Sequence, residues 1–392
     1  MDTVVTINGG SSSLRFALFR VSKALERLLA GKFDRIGTPD AVLKLVDIPA
    51  NKTDEVRVQA PDHIACVPRL VQVLEQKVSI GAVTAIGHRV VHGGARYRET
   101  QRVDEAMLEE LRRVRTLDPA HLPSEIALIE SFLTTYPSLP QIVCFDTTFH
   151  RSLPRVARLL PIPRRYEQQG VQRYGFHGLS YSYLMEELER VAGPAAARGR
   201  IILAHLGNGA SMAAVHEGQS IDTTMAFTPA AGLVMGTRSG DIDPGLVAWL
   251  ARTEQMTPLQ FDEMVTSKSG LAGVSEISSD VRELLQRESS DVRAADAIAL
   301  FCYQARKWIG ALAAALGGLD TLIFSGAIGE NSAVIRGRIC EGLEFLGIEM
   351  DQERNAANAA VITGNTSPAA ARVIRTDEEL YIAQSVVKLI GL

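Results

Sequence analysis

The sequence predicts an α/β protein built from two domains, and three observations carry that expectation. The chain has 392 residues, more than one core ordinarily organises. Short apolar runs alternate with stretches of helical spacing along its whole length, the pattern of mixed strands and helices. Polar, glycine-rich segments recur at the ends of the apolar runs, where α/β folds place their ligands.

The elements follow in order. TVVTI, NGGSSS and LRFALFR read as strand, turn and strand. IACVPRLVQVLEQ (64–76) has helical spacing, and VTAIGHRVVHGG (83–94) is a strand running into a glycine turn. MLEELRRVRTL (107–117) is an amphipathic helix, and LPQIVCFDTTFH (139–150) an apolar strand that ends at Asp146. The opening grammar returns in RIILAHLGNGASMAAVHEG (200–218), where Asn208, Gly209 and Ser211 stand 200 positions after Asn8, Gly9 and Ser11. That shared context predicts a duplicated fold with one glycine-rich β-turn in each half. Beyond residue 290 come a long helix, the strand LDTLIFSG, a third glycine turn and another helix.

Composition removes several classes of function. A formal net charge of −4 argues against bulk capture of nucleic acid, so any anion must be recognised by a local site. Cys66, Cys144, Cys302 and Cys340 are far apart with no C-x-x-C spacing, which fits reduced thiols rather than disulfides or a zinc site. MDTVVTING has no basic segment ahead of an apolar one, so no signal peptide is expected. WIGALAAALGGL (308–319) is shorter than the roughly 20 residues a membrane helix needs. A soluble, cytoplasmic protein is expected.

The chemistry lies in the punctuation. TINGGSSS can cradle phosphate oxygens with backbone N–H groups and hydroxyls. It is not a P-loop, since no Gly-Lys-Ser/Thr follows, and a plain Gly/Ser hairpin is the alternative. HLGNGAS (205–211) repeats the idea, and SGAIGENS (325–332) follows a strand and opens a helix whose N-terminus suits an anion. Asp146 past its strand suits a hydrated Mg²⁺ or an N-cap. Arg89 and Arg238, each in a glycine-bearing segment, suit a carboxylate or phosphate, or else a surface ion pair. His177 in RYGFHGLS can stabilise a transferring phosphoryl group or be a satisfied structural histidine.

Taken in order, INGGSSSLRF, HRVVHGG, FDTTFH, RYGFHG, HLGNGAS, GLVMGTRSGDIDP, SSDVR and GAIGENS closely resemble the acetate kinase family, over about Val4 to Ala383. The resemblance implies two RNase H-like domains of the actin/Hsp70 type with an active-site cleft between them, divided as 1–149 with 377–392 on the acyl side and 150–376 on the nucleotide side. It implies reversible transfer of the γ-phosphoryl of ATP to acetate, with Mg²⁺ or alternatively Mn²⁺, in a homodimer. By the same resemblance Asp146, His177 and Arg238 are catalytic, and Asn8 and Glu378 position the metal. Arg89 grips the acyl carboxylate, and Val91, Leu117, Phe176 and Pro229 enclose its methyl group. ATP is held by Arg15, by His205, Leu206, Gly207, Asn208 and Gly209, by Asp280, Val281 and Arg282, and by Gly329, Glu330, Asn331, Ser332 and Ala333.

Acetate is already ionised at neutral pH, so Asp146 reads as an organiser of metal or water rather than a base. The chain departs from the family's pattern in three places. Arg15 stands where lysine is usual and is expected to face the phosphates. Asp118-Pro119 replaces His-Asn-Pro, and HGLSY (177–181) replaces HGTSH. These changes keep a propionate kinase, a pseudo-kinase and an actin- or Hsp70-like ATPase open as rival readings.

Overall fold

The computed structural model describes residues 2–10, 12–78 and 82–392. Two compact units emerge, Met1–Thr148 joined by Asp377–Leu392, and Phe149–Thr376. In unit 1 the strands are β1 (Thr3–Gly9), β2 (Ser13–Arg20), β3 (Glu26–Asp34), β4 (Val42–Asp47), β5 (Lys52–Arg57), β6 (Val83–Val90), β7 (Gln101–Arg102) and β8 (Gln141–Phe145). They form one sheet in the order β5-β4-β3-β2-β1-β6-β8-β7. Unit 2 holds β9 (Ile201–Leu206), β10 (Ala210–His216), β11 (Gln219–Thr223), β12 (Thr321–Ser325) and β13 (Ala370–Val373), ordered β11-β10-β9-β12-β13.

The two sheets share a five-strand pattern. β3-β2-β1 are antiparallel neighbours, and β6 and β8 continue parallel to β1. β11-β10-β9 are likewise antiparallel, and β12 and β13 continue in parallel. The fold is therefore duplicated, but not at the 200-residue offset of the matching residues. Asn8 lies inside β1, paired with Arg15, whereas Asn208 sits in the turn between β9 and β10. Pairing topology relates the halves, and Ser11 of that match lies outside the described residues.

Strands β1, β8 and β12 are buried at every position, which is why they read as continuous apolar runs instead of alternating ones. In unit 1 Leu14, Phe16 and Leu18 of β2 pack with Leu70, Val73 and Leu74 of the helix Val67–Glu75. The C-terminal helix Glu378–Ile390 lies across β1 and β6. It comes so close that a Cβ on Gly87 would stand 2.6 Å from Ile382 and Val386. In unit 2 Tyr181, Leu184 and Leu188 of the helix Gly178–Ala192 cover Ile201, Leu203 and Ala213. The long helix Val292–Leu316 starts at an Asp291 cap and stops at left-handed Gly317. Its Ile298, Phe301, Ile309 and Leu312 are buried, and each such side chain contributes about 1.5–3 kcal/mol.

One expected turn is not a turn. GAIGEN after β12 is itself a helix, Gly326–Asn331, followed directly by Ala333–Cys340. Among the described residues, no helix is long and apolar enough to cross a membrane.

Candidate active site

In unit 1 the chemistry gathers where β1, β6 and β8 end. Arg89, next to last in β6, is a hub. Its Nε and Nη2 donate to Asp146 Oδ2 at 3.2 and 2.6 Å, and its Nη1 donates to Gly9 O at 2.7 Å and Glu125 Oε1 at 2.8 Å. Four of the five guanidinium N–H groups are thus committed within this unit, so Arg89 organises the site more than it awaits a ligand. Burial opposes its charge, but the Asp146 and Glu125 carboxylates outweigh that and hold it above its usual range.

Glu125 was not singled out from the sequence. It occupies a core-facing position of the helix Leu122–Thr135, in register with Leu128, Ile129 and Phe132, and a glutamate inside an apolar helical stripe was the available signal. Its second oxygen accepts from Val91 N at 2.9 Å, fixing the chain beside the buried Val91 side chain. Burial pushes the Glu125 carboxyl up to about 8 against the pull of Arg89 and the Val91 N–H. Asp118, one of the departures, is buried and receives both the backbone N and the Nδ1 of His121 at 3.1 and 2.9 Å. It thereby anchors the start of the helix that carries Glu125, just past the half-buried Leu117.

Asn8 Nδ2 donates to Glu378 Oε2 at 2.8 Å and Glu379 Oε1 at 3.3 Å. Arg15 stands opposite Asn8 across the β1–β2 ladder, exposed, and its charge favours the ionised forms of both glutamates. With Arg27, Lys32, Lys44 and Glu379 it lines a cavity of about 260 Å³. The preceding turn is tied down by Gly10 N donating to Ser13 O and by His63 Nε2 bonding Gly10 O, both at 2.7 Å.

These residues suit a hard divalent cation. Asp146 is 2 % exposed, and its Oδ1 is buried without a hydrogen-bond partner. The Glu378 carboxyl is raised, first by burial and then by the negative charge of Asp146, a repulsion that a cation would relieve. Among the described residues no three or more His, Cys, Asp or Glu side chains converge into a closed cage. An ion held by one or two carboxylates plus phosphate oxygens and water needs no such cage.

In unit 2 the turn Gly207–Asn208–Gly209 joins β9 to β10. A Cβ placed on Gly209 would lie 3.4 Å from His177 Nε2 and 3.6 Å from Arg238 Nη1. A cationic side chain and an imidazole thus come together beside Gly209. His177 holds a left-handed backbone, φ 58°, a sparsely populated conformation for a non-glycine residue. Its Nδ1 bonds Ser211 Oγ at 2.8 Å, and its ring stacks on His205 with centroids 4.3 Å apart. His205 Nδ1 bonds Ser180 Oγ at 2.8 Å, which in turn accepts from Thr376 Oγ1 at 2.8 Å. Phe176, beside His177, is buried, and its carbonyl bonds His150 Nε2 at 3.0 Å. Arg238 and Pro229 share the irregular segment 224–244, where Arg238 Nη1 donates to Pro229 O at 3.2 Å. Gly236 N donates to Asn208 O at 2.9 Å, which binds that segment to the turn.

The remaining expected ATP ligands serve the fold in visible ways. Glu330 Oε1 accepts from Gly326 N at 2.9 Å and Thr376 N at 3.1 Å. The first N–H of the helix Gly326–Asn331 is therefore taken by its own glutamate. Asn331 Nδ2 donates to Ala327 O, and Ser332 caps the next helix at Ala333. Gly329 O accepts from Arg336 Nη1 at 2.8 Å. Asp280 caps the helix Val281–Arg287 and pairs with exposed Arg282 at 2.6 Å, while the Val281 side chain is buried. Leu206 ends β9 in the core. The thiols are buried, and burial pushes Cys66, Cys144 and Cys340 up to about 12, which leaves them inert.

The chain matches the Acetokinase family over residues 3–384. It is 41 % identical to an acetate kinase of Rhodopseudomonas palustris over 393 residues, covering 99 % of this chain and 98 % of the relative. It is 40 % identical to a propionate kinase of Citrobacter rodentium over 395 residues, covering 98 % and 96 %. The crystal structure of Porphyromonas gingivalis acetate kinase superposes with a TM-score of 0.90 at 33 % identity, each chain covered completely.

Proposed function

The chain belongs to the acetokinase family, and from that premise we propose that it transfers the γ-phosphoryl of ATP to acetate, reversibly and with Mg²⁺, through the residues described above. One observation carries the assignment of roles. His177 Nε2 and Arg238 Nη1 face the same opening beside Gly209, at 3.4 and 3.6 Å from the point a Cβ would fill. Phosphoryl transfer passes through a loose, in-line transition state, and the protein's task is to align the partners and neutralise charge.

In this reading an acetate oxygen attacks the γ-phosphorus as the bond to the β,γ-bridging oxygen breaks, and ADP departs. Acetate arrives ionised, so no proton must be removed. The Gly207–Gly209 backbone cradles phosphate oxygens, and His177 and Arg238 meet charge as it develops on the transferring group. Asp146 Oδ1 and Glu378, steadied by Asn8, would hold the divalent ion, which supplies charge neutralisation for the phosphates when bound. Arg89 locks Asp146, Glu125 and the Gly9 carbonyl in place, leaving one N–H for the acyl carboxylate. Val91, Leu117, Phe176 and Pro229 supply the apolar surface for the methyl group, and the segments at 280–282 and 329–333 flank the nucleoside. The acyl side falls to 1–149 with 377–392 and the nucleotide side to 150–376.

A homodimer and a cytoplasmic setting complete the proposal. The helix Gly245–Thr253 exposes Leu246, Val247 and Trp249 and buries only Leu250, with Ile242 and Leu259 exposed nearby. Such an apolar patch ordinarily marks an interface, and its apolar chemistry suits a second copy of this chain.

A second reading, propionate kinase, is favoured by the relative of that name at 40 % identity. One methylene changes discrimination by only about 1–3 kcal/mol. Trapping the acyl phosphate as hydroxamate, with Mg²⁺-ATP and either acid, separates the readings. A higher kcat/KM for acetate is expected, a clear preference for propionate selects the second reading, and ATP hydrolysis without acyl phosphate rejects both.

A further inference from the structure

Behind His177 lies a residue that the reaction scheme has not used. Tyr181, one turn on in the helix Gly178–Ala192, is completely buried. It occupies the position where the resembling motif carries a second histidine. Its backbone N donates to His177 O at 3.0 Å, and its hydroxyl bonds Ser211 Oγ. Ser211, also completely buried, bonds His177 Nδ1 at 2.8 Å. One serine hydroxyl thus joins a phenol to an imidazole.

The chemistry of the three groups gives this chain a direction. A phenol hydroxyl is a better donor and a poorer acceptor than an aliphatic hydroxyl, so Tyr181 donates to Ser211. The single serine proton then points to His177 Nδ1, which must accept. A neutral imidazole carries one ring proton, and with Nδ1 accepting, that proton resides on Nε2. Nε2 is the atom that faces the space beside Gly209 together with Arg238. Edge-on ring contacts of Tyr181 with His150 at 5.7 Å and with His177 at 6.5 Å fix the phenol laterally. His150 in turn bonds Phe176 O and Ser220 Oγ.

We propose that Tyr181 is a positioning residue that sets the tautomer of His177 through Ser211, so that His177 presents an N–H donor at Nε2 to the transferring phosphoryl group. The inference rests on the phosphoryl role given to His177 above. It explains how a phenol serves at this position: it cannot touch the phosphates, yet it orders the group that does.

Long-range ¹H–¹⁵N correlation spectra of the intact protein labelled in histidine read the tautomer directly. The unmodified protein should show His177 with its proton on Nε2, assigned by loss of the signal in His177→Ala. Tyr181→Phe, which removes one oxygen and keeps the ring, should give a mixture of tautomers. It should lower kcat about tenfold, the equivalent of one neutral hydrogen bond, with both KM values within about twofold of the original. Ser211→Ala should mix the tautomers as well and lower kcat at least as far. A proton on Nδ1 in the unmodified protein overturns the proposal, as does a Tyr181→Phe protein with unchanged tautomer and kcat. Full activity in His177→Ala would instead remove the phosphoryl role of His177, and the spectrum would still decide the function of Tyr181.

Discussion

Arg336 offers the sharpest test of how unit 2 holds the segment around Gly329 in place. It is fully buried, and its four hydrogen bonds all go to neutral oxygens. Nε donates to Asn355 Oδ1 at 2.9 Å, Nη1 to Gly329 O at 2.8 Å, and Nη2 to Asn355 O at 3.0 Å and Asn358 Oδ1 at 2.5 Å. Burial accordingly pulls its pKa below the usual range. Arg336→Met keeps an unbranched apolar stem and removes every donor. Asn358 is exposed, so water replaces that bond, and the Asn355 carbonyl keeps the Asn358 N–H at 3.1 Å, but the Gly329 carbonyl and Asn355 Oδ1 lose their partner in buried positions. At about 1–3 kcal/mol for each unsatisfied buried acceptor, the loss for the two is roughly 2–6 kcal/mol. Relief of the guanidinium's desolvation offsets about 1–2 kcal/mol of this. The expected net destabilisation is about 1–4 kcal/mol, read from urea denaturation followed by tryptophan fluorescence and circular dichroism. Arg338, two residues along the same helix, is the control. It pairs with Glu288 at 2.7 Å with 40 % of its side chain exposed, so Arg338→Met should cost under about 1 kcal/mol. A fall in stability below about 1 kcal/mol for Arg336→Met, or a larger one for Arg338→Met, would refute the reasoning. Because Gly329 is released as well, KM for ATP should rise in Arg336→Met while KM for acetate stays constant.

Other outcomes follow from the same geometry. Gly209→Ala puts a methyl group 3.4 Å from His177 Nε2 and should lower kcat/KM about 10²-fold by displacing a phosphate oxygen, with the melting temperature unchanged. Glu125 is raised to about 8, so the folded state retains a proton that the unfolded state loses near pH 4.5. Stability should therefore decline as pH rises from about 4.5 to 8, and Glu125→Gln should flatten that decline in urea midpoints measured at pH 5, 7 and 9. Trp249→Glu sets a charge on the exposed apolar helix and should give a monomer by light scattering; an unchanged dimer mass would reject that face as the interface.

Much of this was legible because local chemistry coincides with tertiary position. The β1–β2 and β9–β10 hairpins announce themselves through glycine between apolar runs, and Asp146 directly follows a strand buried at every residue, where a carboxylate has few bland uses. Glu125 was hidden because its position satisfies helical periodicity while violating polarity, and only the arrival of Arg89 from β6 explains it. The helix Gly326–Asn331 was hidden because Glu330 stabilises its first N–H from within, so glycine there signals a close backbone approach instead of a loop. A Cβ on Gly326 would stand 2.7 Å from Leu206 O. The parallel order of β1, β6 and β8 depends on helix packing that no local pattern encodes. Duplication was visible in composition but misplaced in register, because matching residues do not occupy matching ladder positions.

The shared topology also shows how one hairpin came to serve two purposes. In unit 1 the hairpin's carbonyls are consumed internally, Gly9 O by Arg89 and Gly10 O by His63, and the carboxyl groups of Asp146, Glu125, Glu378 and Glu379 gather about Arg89 and Arg15. In unit 2 the turn Gly207–Gly209 lies beside His177 and Arg238. An excess of carboxylates attracts a divalent cation, and an imidazole with a guanidinium attracts an anion. Under the proposed reaction, Asp146→Ala and Arg238→Ala should each lower kcat, and the loss in the double variant should fall short of the two added together.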